Sequence, residues 1–79
     1  MQREEIIQIV NKFLMEEFEI SEDLLLPDAK LGEDLGIESL DFVDIVVIIE
    51  KEFGFKVKRE EMINVKTLND MYNYIENGL

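Results

Sequence analysis

Leu35-Gly36-Ile37-Glu38-Ser39-Leu40-Asp41 is the stretch on which the reading of this chain turns. A glycine-containing turn leads into a serine, and a largely apolar run to Phe53 follows. Serine in that place is a preferred helix N-cap, because its hydroxyl accepts from an N–H group that the first turn leaves without a partner. A hydroxyl at the head of a helix also lies at the positive end of its dipole, where a phosphate is stabilised. As a cap alone, the serine would cost about 0.5–2 kcal/mol to replace with alanine. Acids bracket it at Asp34, Glu38, Asp41 and Asp44. The helix predicted from it covers residues 39–53. On the helical wheel Phe42, Ile45, Val46, Ile49 and Phe53 share one face, expected in the core. Leu40, Val43 and Val47 form a second apolar edge beside Asp44 and Lys51, while Ile48 falls on the polar side with Asp41 and Glu52. Such an edge marks a docking surface if exposed, and is simply core if the helix is covered on two sides. Valine and isoleucine are middling helix formers, so packing has to hold this segment in place.

Working outward, residues 3–17 read as an amphipathic helix. Ile6, Ile7, Val10, Phe13 and Leu14 recur at three- and four-residue spacing, with Glu4 and Glu5 in the first turn. Phe18 to Gly36 is long and mixed. Phe18, Ile20 and Leu24-Leu25-Leu26 are expected to plug one end of a bundle. Ser21-Glu22-Asp23 suits a short capped turn, and Pro27 discourages a helix through Leu26. A long crossover of this kind lets the next helix run roughly parallel to the first. Beyond the central helix, Gly54 is a natural stop, and Phe55 to Lys58 form an extended link. Residues 59–63 suit one helical turn. Thr67 caps a last helix carrying Leu68, Met71, Tyr72 and Ile75, which frays at Asn77-Gly78. The expected fold is all-α: a small four-helix bundle with three longer helices, a short third helix and a long loop between helices 1 and 2. Residues 1–79 form a single domain in this reading.

Nineteen acids against eight bases set the net charge at −11. Nucleic acid and anionic membrane surfaces are therefore poor partners, and basic protein surfaces good ones. Hydrophobic residues make up 47% of the chain, enough for a folded core. No apolar run is long enough to span a membrane, and Met1-Gln2-Arg3-Glu4-Glu5 lacks a signal-peptide layout, so a cytoplasmic location is expected. There is no histidine and no cysteine, which excludes a Ser-His-Asp triad, a thiolate nucleophile and the usual zinc ligand sets. The EF-hand, P-loop and G-x-G-x-x-G patterns are not met. No metal site and no catalytic apparatus are expected, and the chain is not read as an enzyme.

Glu33-Asp34-Leu35-Gly36-Ile37-Glu38-Ser39-Leu40-Asp41 resembles the E-D-L-G-x-D-S-L signature of acyl carrier proteins. The resemblance extends over nearly the whole chain: a first helix, a long loop, a serine-headed second helix, a short third helix near Glu60-Glu61 and a last helix with Tyr74-Ile75. It implies that Ser39 is the attachment point of 4′-phosphopantetheine donated by coenzyme A. The terminal thiol of that group would hold acyl intermediates as thioesters. The partners implied are a phosphopantetheinyl transferase and the acyl-transferring and acyl-modifying enzymes of fatty-acid, polyketide or related lipid biosynthesis, each with a basic docking patch. The docking contacts carried over by the resemblance are the acids Glu38, Asp41, Asp44 and Glu50, and the apolar residues Leu40, Val43 and Val47.

Three positions depart from the family pattern. Glu38 replaces the usual aspartate before the serine and keeps its charge. Lys51 stands where an acid is usual, and Val47 is smaller than the methionine often found there. Lys51, Lys56, Lys58 and Arg59 gather half of all the basic residues into one short window, which suggests a specialised carrier. The initial Met1 and the absence of linkers lead to the expectation of a discrete, monomeric carrier. Two other readings share the sequence: an aminoacyl carrier, for instance of D-alanine, and an acidic helical interaction module in which Ser39 only caps.

Overall fold

Helix α1 runs Arg3–Phe18 in the computed structural model, which describes residues 1–79 throughout. Its first turn is closed by Glu5, whose carboxylate accepts from the Gln2 N–H at 3.1 Å, at the end where the dipole favours a negative charge. Ile6, Val10, Phe13 and Leu14 are buried along one stripe, while Ile7 lies half-buried at its edge. The helix stops where Glu19 takes φ 54°. The Glu19 and Ile20 N–H groups both point to the Leu14 carbonyl, and Ile20 turns back into the core.

The long connection to the next helix holds one 3-10 turn, Glu22–Leu24. Of Leu24-Leu25-Leu26 only Leu25 is buried; its neighbours are exposed. The expected triple plug is thus a single side chain, because consecutive residues around so tight a turn cannot all face the bundle. Further on, the segment straps itself to the start of the last helix. The Leu31 N–H bonds to the Lys66 carbonyl at 3.0 Å, Leu68 to Ala29 at 2.9 Å and Asn69 to Pro27 at 2.8 Å. These bonds satisfy the backbone of a loop that would otherwise be long and unpaired. They also bury Ala29, Leu31, Leu35 and Ile37.

Helix α2 covers Asp41–Phe53 and buries Ile45, Val46, Ile49 and Phe53. Ile48 does not join the polar side. It is half-buried and lines a groove with Ile9 and Phe13 of α1. Gly54 at φ 72° ends the helix. The link after it has no strand partner, and side chains satisfy its backbone instead. Val57 N–H donates to Glu50 Oε2 at 2.8 Å, and Lys58 N–H to the Tyr74 hydroxyl at 3.0 Å. Helix α3 is the single turn Arg59–Met62.

Helix α4, Leu68–Gly78, opens with a reciprocal capping box. Thr67 Oγ1 accepts from the Asp70 N–H at 3.1 Å, and Asp70 accepts from the N–H groups of Thr67 and Lys66 at 3.0 and 3.1 Å. This helix stays regular to Gly78, past the expected fraying point. Across the α1–α4 contact, Arg3 bonds Glu76 at 2.9 Å and Asn69 at 2.7 Å, and lies over the Tyr72 ring. The Tyr72 hydroxyl donates to Asn11. The architecture is the expected all-α bundle of three longer helices and a short third, with every buried residue apolar or aromatic.

Candidate functional site

The chain is held firmly up to the residue before the acid–serine pair. The Asp34 carboxylate accepts from the Lys30 N–H at 2.8 Å, and the Lys30 carbonyl accepts from Asp34 and Leu35. Gly36 at φ 71° then reverses the chain, a conformation that costs a residue with a Cβ about 1–2 kcal/mol. The Ile37 N–H returns to the Leu31 carbonyl at 2.9 Å, with Leu35 and Ile37 both buried.

From that anchor α2 starts with a tight turn. Carbonyls of Glu38, Ser39 and Leu40 accept from the N–H groups of Asp41, Phe42 and Val43, each three residues on. The Asp41 carboxylate reaches back to the Glu38 N–H at 2.9 Å. Ser39 is therefore not the N-cap expected from the sequence. It immediately precedes Leu40, which takes the N-cap position, and no side chain caps the helix. The two roles are distinct, since a capping hydroxyl would accept from an N–H ahead of it, whereas Asp41 accepts from the Glu38 N–H behind it. The Ser39 side chain is exposed and bonds to nothing in the chain. The N–H groups of Ser39 and Leu40 also find no acceptor. An unbonded hydroxyl beside free N–H groups at the head of a helix suits an anion esterified to that oxygen.

The surface next to Ser39 is apolar and acid-rimmed. Leu40 is 80% exposed, Val43 46% and Val47 56%, so this edge of α2 is not covered by the bundle. Glu38 and Asp44 are exposed, and Asp41 is half-buried through its bond to Glu38. Glu50, half-buried like Asp41, holds the link after α2 by accepting from the Val57 N–H. Ile63, 72% exposed, was not singled out from the sequence. The signal was there, since a one-turn helix ending Met62-Ile63 can bury only one of the two.

A groove of about 400 Å³ opens beside Ser39. Its apolar lining comes from Leu31 of the strap, Phe42 of α2, and Met62, Ile63 and Val65 around α3. Phe42, assigned to the core face from the sequence, is only half-buried and forms part of this wall. A larger groove, about 750 Å³, lies between the link after α2 and α4, and includes neither Ser39 nor any residue of α2. The serine groove is the one placed to receive something attached to the hydroxyl.

Residues 4–75 match the family described as "Phosphopantetheine attachment site". The acyl carrier protein of Thermotoga maritima is 40% identical over 77 residues, covering 98% of this chain and 95% of that protein. That of Coprothermobacter proteolyticus is 33% identical over 79 residues, 100% of this chain and 96% of its own. That of Thermosynechococcus vestitus is 31% identical over 77 residues, 98% and 95% respectively. The cofactor that goes with this match is a covalently attached 4′-phosphopantetheine, and a serine exposed and unbonded at a helix head fits it. By family match and by near-full-length relatives, the chain belongs to the acyl carrier protein family of phosphopantetheine-bearing domains.

Proposed function

We propose that residues 1–79 act as a single carrier unit whose attachment point is Ser39. The observation that carries this reading is the state of the Ser39 hydroxyl: exposed, bonded to nothing, and flanked by free N–H groups. Ser39 Oγ takes the phosphopantetheinyl group from coenzyme A. An ester bond forms from Oγ to phosphorus, the pyrophosphate bond breaks, and 3′,5′-ADP leaves; the hydroxyl proton passes to the transferase. The thiol at the end of the arm holds an acyl group as a thioester. The chain itself positions the ester at the head of α2 and presents it, as a substrate of other enzymes.

Partner enzymes dock, in this reading, on the exposed edge of α2. Leu40, Val43 and Val47 supply apolar contact, while Glu38, Asp41 and Asp44 pair with basic residues across the interface. Glu50 contributes mainly by holding the Val57 segment, which fixes the end of that edge. The pathway served is fatty-acid, polyketide or related lipid biosynthesis.

Intact mass tests the attachment. The protein and Ser39→Ala are incubated with coenzyme A, Mg²⁺ and a broad-specificity phosphopantetheinyl transferase. A gain of one phosphopantetheine in the parent and none in the variant is the expected outcome. An equal gain in both places the attachment elsewhere, and no gain in either with several transferase classes sinks the carrier reading for this chain.

A further inference from the structure

The window 51–59 concentrates four of the eight basic residues in sequence, but the fold disperses them. Lys51 faces the groove between α1 and α2. Lys56 and Lys58 line the groove against α4. Arg59 alone reaches the Ser39 groove, and there Lys66 joins it from the segment leading into α4. Neither belongs to an ion pair; the two in the chain are Arg3–Glu76 and Lys30–Glu33. The groove thus holds two uncommitted cations and no acid, in a chain where acids outnumber bases nineteen to eight. A local reversal of sign against so acidic a background calls for an anionic occupant.

The occupant is tethered to the same groove. Resting on the reading that Ser39 carries phosphopantetheine, we infer that Arg59 and Lys66 are the counter-ions of the phosphodiester on Ser39 and draw the first part of the arm into the groove. A phosphodiester bears one negative charge on two non-bridging oxygens. The parallel N–H groups of a guanidinium match that pair, and an ammonium adds a point charge. Glu38 and Asp41, neighbours of the serine in sequence that do not line the groove, repel the same charge, which favours its pairing with the groove cations. The Lys66 backbone is a fixed launching point: its N–H is held by Asp70 and its carbonyl by the Leu31 N–H. The groove of about 400 Å³ has room for about a dozen waters at roughly 30 Å³ each, enough for the phosphate and the adjoining chain.

Phosphorus-31 NMR tests this on the loaded protein. The parent, Arg59→Gln, Lys66→Gln and the double variant are each converted with the transferase and coenzyme A and checked by intact mass. Both substituted positions are exposed, and circular dichroism verifies that the variants fold. Spectra are taken at low salt and at about 1 M, where the screening length falls from tens of ångströms to about 3 Å. The expected result is a phosphodiester line in the parent that shifts with salt toward its position in the urea-unfolded loaded chain. Each single substitution removes part of that salt-dependent shift, the double substitution removes most of it, and Arg59→Lys restores part. Loaded parent and double variant with superimposable lines at both salts would overturn the pairing while leaving the carrier reading intact. If no protein gains mass and no phosphodiester line exists, the carrier reading falls and this inference with it.

Discussion

Glu50→Ala separates two roles that a surface acid near a docking edge can play. Glu50 Oε2 accepts from the Val57 N–H at 2.8 Å in a partly buried setting, and Val57 itself is buried. Truncation removes that acceptor and leaves a backbone donor with no partner in the link, which has no strand to pair with. Hydrogen bonds to charged groups contribute about 1.5–3 kcal/mol, and orphaning a buried donor costs about 1–3 kcal/mol. Partial access of water at the link lowers this, so the expected loss is about 1–2 kcal/mol. In a domain of this size each kcal/mol moves the midpoint by about 4–8 °C, so Tm should fall by about 5–15 °C. Glu50→Gln keeps an amide oxygen in place and should lose less than about 1 kcal/mol. Glu52→Ala, an exposed neighbour without a hydrogen bond, is the control and should stay within about 0.5 kcal/mol. Thermal and urea unfolding followed by circular dichroism measure all three. If Glu50→Ala is as mild as Glu52→Ala, the Val57 bond does not hold the link and the reasoning fails. If it is destabilised while the glutamine variant still serves partner enzymes, the charge of Glu50 is not a docking contact.

Ser39→Ala should leave stability within about 0.5 kcal/mol of the parent, since the hydroxyl caps nothing; a larger loss by urea unfolding would restore the capping role. Thr67→Ala should cost about 1 kcal/mol by removing one arm of the α4 capping box. The N–H groups of Thr67 and then Lys66 hold the Asp70 carboxyl below its usual value. Its contribution is therefore present above the unfolded carboxylate pKa of about 4 and lost as pH falls through the lower folded value. In Asp70→Asn the stability–pH curve below about pH 4 should be shallower than in the parent. Glu19→Gly should raise stability by about 0.5–1 kcal/mol, because glycine relieves the left-handed backbone at φ 54° while losing more chain entropy. From Glu33 to Glu52 seven acids face one lysine, so added NaCl or Mg²⁺ should raise Tm; an unchanged melting curve would refute self-repulsion as a cost.

The helices could be read from the sequence because each carries its own periodic signal: Ile6, Val10, Phe13 and Leu14 in α1, Ile45, Val46, Ile49 and Phe53 in α2, Leu68, Met71, Tyr72 and Ile75 in α4. Periodicity failed where neighbours are chemically equivalent and tertiary packing chooses between them. Nothing local tells Leu25 from Leu24 and Leu26, or Met62 from Ile63. Ile48 fell on the polar side of the wheel because a wheel does not show where α1 lies. The four basic residues of 51–59 looked like one cluster because sequence proximity is one-dimensional; the link after α2 turns them toward three different grooves.

The misplaced cap has the most consequence. Ser39 and Asp41 both suit the closing of a first turn, and local propensity favours the serine as much as the acid. The structure leaves the helix start without a side-chain cap; Asp41 instead holds the approach to it by accepting from the Glu38 N–H, with the anchored turn from Lys30 to Ile37 behind it. A hydroxyl engaged in capping would have to break that bond before a transferase could use its oxygen. The Ser39 hydroxyl carries no hydrogen bond in the chain, so a group attached to it would leave the helix start untouched. Asp41, two residues after the serine, is therefore structural, and under the proposed docking role its two tasks make opposite demands on a variant. Asp41→Asn keeps an acceptor for the Glu38 N–H and should preserve the fold while weakening the proposed docking, whereas Asp41→Ala should loosen the turn that presents Ser39. A slower modification of Asp41→Ala than of Asp41→Asn, at matched partner affinity, is the signature of that loosened turn.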